Sequence, residues 1–230
     1  MNYLIILSGG TGTRIGGQIP KQYKEIDGIP IIKYTMKNID CSVFEKIVLV
    51  VATSWIDFIK EKVLVDFDEK KIIFAQAGLS RQESVLHGLL ALKNYAGEDD
   101  IVVIHDAARP NCKKDLFMTL INECCDVDGV MPIIPVKDTI YVCRQGESVV
   151  TDVLNRDELC IGQTPEAYKF GPYLSINQKL SKEELERIRG SSEIAYKSGL
   201  EIKIVEGDEM NFKITTPIDF ERFIEITRRN

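Results

Sequence analysis

Five glycines fall within nine positions, Gly9, Gly10, Gly12, Gly16 and Gly17, and two cations, Arg14 and Lys21, accompany them. Glycine lets backbone approach a ligand closely and adopt positive φ. Successive backbone N–H groups in such a loop form a concave anion site. Fixed N–H donors beside two cations suit a polyphosphate. The spacing is not that of a P-loop, because G-x-x-x-x-G-K-[ST] is absent. It also misses the dinucleotide fingerprint. Gly10 and Gly12 give G-x-G, but Ile15 stands in the third glycine position and Gly16 comes one residue late. A plain strand-to-helix turn would need neither cation.

Two further stretches carry chemistry. Ser80-Arg81-Gln82-Glu83-Ser84 matches a capping box, whose ordinary role is to start a helix. The same helix start offers free N–H groups, and Gly78, Arg81 and Ser84 would face a ligand if it lay beside the first loop. His105-Asp106-Ala107-Ala108-Arg109-Pro110 follows an apolar run. A carboxylate at the C-terminal end of a strand in an open parallel sheet sits where ligands bind. Asp106 can hold Mg²⁺ on phosphates or pair with Arg109 in a turn. For His105 an orienting or core role outranks that of a general base.

The elements that must position these groups alternate along the chain. Apolar runs predict buried strands at residues 4–7, 46–52, 71–75, 101–104 and 130–135. Helical spacing marks 31–39, 55–65, the stretch after Ser80, and 114–125. Residues 140–143 and 148–150 flank Arg144-Gln145-Gly146-Glu147 and predict a β-hairpin. An isolated hairpin is marginal, so it must pack on something, such as another subunit. Ser181 and Glu184 form a capping box for a helix that Gly190 ends, and Ser191 opens another that stops at Gly199. Strands are expected at 201–206 and 211–215. Thr216-Pro217 opens the last helix as N-cap and N1. This alternation predicts one α/β domain over residues 1–230, a mainly parallel sheet with helices on both faces.

Composition excludes several classes. The 230 residues carry a net charge of −6 and no basic block, which argues against nucleic acid. No apolar run reaches the ~18 residues of a membrane span, and no basic leader with a cleavage site is present. The six cysteines include no C-x-x-C and there are only two histidines, which argues against zinc and for reduced cytoplasmic thiols.

Taken in order, Gly9-Gly10-x-Gly12-x-Arg14, Pro20-Lys21-Gln22, Arg81-x-x-Ser84-Val85, His105-Asp106-Ala107-Ala108-Arg109-Pro110, Asp138-Thr139, Gln163-Thr164-Pro165 and Lys213-Ile214-Thr215-x-Pro217 resemble the cytidylyltransferases acting on 2-C-methylerythritol 4-phosphate or ribitol 5-phosphate. The likeness spans nearly the whole chain. It implies a Rossmann-like fold, CTP and a polyol phosphate as partners, Mg²⁺, and a homodimer built through the arm at 139–154. It implies that Ser8, Gly9, Gly10, Thr11 and Gly12 cradle the triphosphate, with Arg14, Lys21 and Lys213 catalytic. Gly78, Arg81, Ser84 and Ala107 would complete the nucleotide site, and Asp106 would bind the metal. Arg109, Thr139, Arg156 and Thr164 would surround the acceptor, Arg156 from the neighbouring subunit.

One departure bears on the acceptor. Where the family carries Thr-Asp before the helix ending at Gly199, this chain has Arg189-Gly190. Arg189 either points to solvent or offers a planar fork to an acceptor phosphate. On that basis ribitol 5-phosphate ranks just ahead of 2-C-methylerythritol 4-phosphate, with a glycerol phosphate as a further relative. Two readings of other classes are a nicotinamide-dependent dehydrogenase, disfavoured by the missing glycine, and a non-catalytic nucleotide sensor, disfavoured by keeping both Arg14 and Lys21.

Overall fold

The computed structural model describes residues 1–10 and 19–229. In chain order the elements are β1 (Asn2–Leu7), β2 (Glu25–Ile26), β3 (Ile29–Pro30), α1 (Ile31–Lys37), β4 (Lys46–Val51), α2 (Ile56–Lys62), β5 (Ile72–Gln76), α3 (Arg81–Leu92), β6 (Ile101–Asp106), α4 (Lys114–Glu123) and β7 (Gly129–Pro135). There follow β8 (Ile140–Val142), β9 (Asp152–Leu154), β10 (Cys160–Gly162), β11 (Glu166–Lys169), α5 (Phe170–Gln178), α6 (Lys182–Arg187), α7 (Ser191–Lys197), β12 (Ile202–Glu206) and α8 (Pro217–Arg229).

Eight strands form the central sheet in the order β10-β7-β11-β6-β1-β4-β5, with β12 on β7. β5, β4, β1 and β6 are mutually parallel. β11 runs antiparallel between β6 and β7, and β10 runs antiparallel to β7. The parallel strands are apolar along their centres, where both their faces are covered. Alternation along β1 divides them: Leu4 and Ile6 enter one core with Ile32, Ile59 and Phe117, while Tyr3 and Ile5 enter the other with Val85, Leu89 and Tyr173. One layer therefore holds α1, α2 and α4, and the opposite layer holds α3, α5 and α7. A third, smaller core joins Ile31, Ile214 and Phe223. It anchors the segment around Lys213 to α1 and α8.

Several expectations are corrected. Residues 211–215 form no strand. Ile214 N donates to Ala108 O, but no ladder continues from it. β-propensity in Phe-Lys-Ile-Thr does not make a strand without an adjacent edge. The hairpin exists, but its return strand is β9, with Val142 opposite Asp152, and not residues 148–150. β10 and β11 were not expected at all. Ser80 caps Glu83 N, yet the Glu83 carboxylate takes Leu79 N, so the reciprocal half of that box is absent. The box at Ser181 and Glu184 is complete. All six cysteines are free, and among the described residues no helix is long and apolar enough to cross a membrane.

Candidate active site

A cleft of about 430 Å³ opens at the C-terminal ends of β1 and β6. Gly9 and Gly10 form one wall, Gly78 to Arg81 another, and Lys21, Lys213 and Thr215 face in from loops, with Asp106 at the base. This is where ligands bind in an open α/β sheet. A Cβ on Gly9 would meet the Ala77 Cβ at 2.2 Å, and one on Gly78 would meet Glu83 at 2.6 Å. Glycine at the first point lets the first loop close on Ala77, and at the second it lets the chain pack against the start of the helix that follows. Among the described residues nothing lies within 4 Å of where a Cβ on Gly10 would be.

Gln22 sets the loop's entry. Its side-chain amide donates to Ser8 O at 2.6 Å and Gly10 O at 2.8 Å. Tyr23 Oη donates to Ser8 O, and Ser8 Oγ donates to Tyr23 Oη. The turn that starts with Lys21 is thus bound to the end of β1, which holds Lys21 at the cleft. Thr11, Gly12 and Arg14 lie outside the described residues.

Asp106 is the electrostatic centre. It is 5% exposed. Lys213 Nζ lies 2.9 Å from Oδ2, Arg109 Nε 3.5 Å from Oδ2, and Arg81 Nε 3.5 Å from Oδ1. Burial alone would raise its pKa, but Lys213, Arg81 and Arg109 hold the carboxyl well below the usual range. Its backbone N–H donates to Thr164 Oγ1. His105 is fully buried against Phe117, with Nδ1 3.3 Å from Thr164 Oγ1. Burial lowers its pKa to about 3, so it is neutral and a poor base at neutral pH. The orienting or core role is the one its position supports.

The structure brings Gly9, Gly10, Lys21, Gly78, Arg81, Ser84, Asp106 and Lys213 together around the cleft. Ser84 Oγ accepts from Gly78 N and donates to Ser80 O, so it shapes the wall. Ser8 is buried beneath it. Ala107 turns into the core and its neighbour Ala108 lines the cleft instead. Arg109 holds Asn211 O at 2.6 Å behind Asp106. Thr164 is buried with its hydroxyl committed to Asp106 and His105. Thr139, Arg156 and Arg189 are exposed and do not line the cleft. Arg156 donates to Lys137 O. Gln22, Leu79, Ser80 and Thr215 line the cleft without having been singled out as site residues. Gln22 and Thr215 stand inside the quoted motifs, whereas nothing in the sequence marks Leu79.

A divalent ion fits this site only with help from its ligand. Among the described residues no group of three Asp, Glu, His or Cys side chains converges. Mg²⁺ is commonly held by one or two carboxylates together with substrate phosphates. Asp106 supplies one such carboxylate, which Lys213 also contacts.

Residues 3–228 match the family described as IspD: 2-C-methyl-D-erythritol 4-phosphate cytidylyltransferase. The chain is 33% identical to 2-C-methyl-D-erythritol 4-phosphate cytidylyltransferase of Geobacter metallireducens, over 97% of each chain. It is 30% identical to ribitol-5-phosphate cytidylyltransferase of Lactiplantibacillus plantarum, over 95% of each. Among solved structures, 2-C-methyl-D-erythritol 4-phosphate cytidylyltransferase of Francisella tularensis superposes with a TM-score of 0.80 at 27% identity, covering 96% of this chain and 97% of that one.

Proposed function

The chain belongs to the 2-C-methyl-D-erythritol 4-phosphate cytidylyltransferase family, and from that premise we propose that it transfers CMP from CTP to a polyol phosphate and releases pyrophosphate. The observation that carries this reading is the cleft itself. A glycine-lined wall, Lys21 and Lys213 converge on one buried carboxylate at the C-terminal ends of parallel strands.

The chemistry needs no protein base. A phosphate monoester has a second pKa of about 6 and is mostly dianionic at pH 7. One of its oxygens attacks the α-phosphorus of CTP. That P–O bond forms as the bond to the β-phosphate oxygen breaks, and pyrophosphate carries the charge away. The protein supplies alignment and charge stabilisation. Lys21 and Lys213 face the cleft and stabilise the developing charge, with Arg14 assigned beside them from the sequence motif. Mg²⁺, held by Asp106 and the nucleotide's own phosphates, would neutralise charge on the leaving pyrophosphate.

The acceptor is 2-C-methyl-D-erythritol 4-phosphate or ribitol 5-phosphate. The family description and the Geobacter metallireducens relative favour the first. The Lactiplantibacillus plantarum relative keeps the second in play. Arg189, on which the preference for ribitol partly rested, is exposed and away from the cleft lining. The arm of β8 and β9 makes a homodimer, supported by its exposed Tyr141, Val149, Val150 and Val153. Pyrophosphate release with CTP across a panel of polyol and sugar phosphates tests the reading. Turnover with methylerythritol or ribitol phosphate is expected, and none with any polyol phosphate would sink it.

A further inference from the structure

Behind the cleft a second carboxylate faces Arg81 from the core. Glu166 opens β11 and is 4% exposed. It pairs in register with Ile104, two residues before Asp106 on the neighbouring strand β6. The two carboxylates therefore come from one end of adjacent strands, and Arg81 enters between them from the start of α3. Every nitrogen of its fork is assigned inside the protein. Nε lies 3.5 Å from Asp106 Oδ1, Nη1 donates to Ser191 Oγ at 2.7 Å, and Nη2 lies 4.0 Å from Glu166 Oε2.

A carboxylate in this place is costly to the fold. Burying a charge without full pairing is unfavourable, and among the described residues Glu166 Oε2 has no hydrogen-bond partner. The next residues of β11, Ala167 and Tyr168, are fully buried, and an apolar side chain would continue that core without the desolvation penalty. The Glu166 pKa is raised, by burial first and also by the Asp106 charge, with Arg81 and the hydroxyls of Ser191 and Ser192 pulling the other way. Burial also works against charge on Arg81, yet Asp106 and then Glu166 outweigh it. The group that gains from Glu166 is Arg81.

We propose that Glu166 is a positioning residue for the transfer reaction: with Ser191 it anchors Arg81, which in turn fixes the Asp106 carboxylate so that Oδ2 is presented to Lys213 at the cleft. This rests on the cytidylyl-transfer reading. Four side chains then alternate in charge from core to cleft, Glu166, Arg81, Asp106 and Lys213. Without the Glu166 charge, Asp106 is the one anionic partner left to Arg81 among the described residues, and Arg81 competes with Lys213 for it. Lys213 loses its fixed place, while the cleft as a whole becomes more positive. An anionic nucleotide should still bind, and the chemical step should slow.

The test is Glu166→Gln, with kcat normalised to the number of CTP sites counted by equilibrium binding. The expected result is one CTP site per chain, KM for CTP unchanged or lower, and kcat down about tenfold, the low end for groups that orient a functional side chain. In an Arg81→Lys background the same substitution should change kcat less than twofold, because the relay is already cut. Ser191→Ala, which removes the other anchor, should lower kcat in the same sense, and it carries the test if Glu166→Gln does not fold. Wild-type kcat in a folded Glu166→Gln, an equal loss in the Arg81→Lys background, or parallel loss of CTP sites and turnover in whichever variant carries the test would overturn the proposal. Wild-type protein that neither binds CTP nor releases pyrophosphate would overturn the functional reading and this inference with it.

Discussion

At Asp106 one buried carboxylate answers three cations, Lys213, Arg81 and Arg109. Removing its charge leaves those cations facing one another. Asp106→Asn should therefore lower stability by roughly 3–5 kcal/mol, the scale for one partner lost from a buried ion pair. CTP should restore part of that loss, since its phosphates replace the missing charge, and the Mg²⁺ requirement should rise. Thermal melts with and without CTP measure the first two effects and a Mg²⁺ titration of turnover the third, and an unchanged melting point would show that the cluster is not what holds this corner together. Lys21 stands differently. It faces the cleft from a turn that Gln22 and Tyr23 secure. Lys21→Ala should keep the fold and lower kcat by ~10²-fold or more, the scale of one strong transition-state donor. Near wild-type turnover would remove it from the mechanism. The position of Lys21 and Asp106 at the cleft was legible because glycine, lysine and aspartate in short local motifs point to phosphate chemistry. Glu166 and Gln22 were not. Their partners lie 85 and 12–14 positions away in sequence, and only the assembled strands bring them close.

At the scale of elements, the parallel strands were readable because burial on both faces leaves continuous apolar runs. β10 and β11 were hidden for the opposite reason. They hold three and four residues, Gln163-Thr164-Pro165 between them reads as a turn, and pairing with β7 and β6 makes them strands. The last helix was legible from its cap. Asp219 Oδ2 accepts from Thr215 N and Thr216 N at 2.9 and 2.7 Å and from both threonine hydroxyls, while Thr216 Oγ1 accepts from Asp219 N. Partial burial raises the Asp219 pKa, but these donors outweigh it and hold the value below its ordinary 3.8. The unfolded chain thus takes up the proton first, and the cap stabilises fully above the ordinary carboxylate range. That contribution fades as pH falls through the folded value. Asp219→Asn should cost about 1 kcal/mol at pH 7. Urea midpoints of wild type and variant should stay apart from pH 7 down to about 5 and converge below about 4. A gap that stays constant to pH 3 would mean that the carboxylate charge is not what caps α8.

For the whole molecule, the central sheet gathers eight strands and leaves the arm outside it. Among the described residues β8 and β9 pair only with each other, and Tyr141 is 59% exposed and Val149 64%. A two-stranded hairpin with such residues in water is marginal by itself, and the second chain of the proposed homodimer would cover it. The sequence pattern shows the arm as a hairpin and cannot show its register, because neither face is buried within the chain and alternation alone leaves the slip free. Arg156 follows β9 and lies away from the cleft of its own chain. If the arm crosses a two-fold axis, it brings Arg156 to the partner's cleft, and each site is then built from two chains. Arg156→Ala and Lys21→Ala proteins should each be nearly inactive alone. Mixed in equal amounts and allowed to exchange, half of the dimers are hybrid, and each hybrid holds one site with both residues intact. Activity should therefore recover to about a quarter of wild type, the statistical limit for a freely exchanging two-fold dimer. Subunit exchange followed by a label, with activity remaining at the level of the single variants, would place Arg156 outside the partner's site and return the arm to a purely structural role.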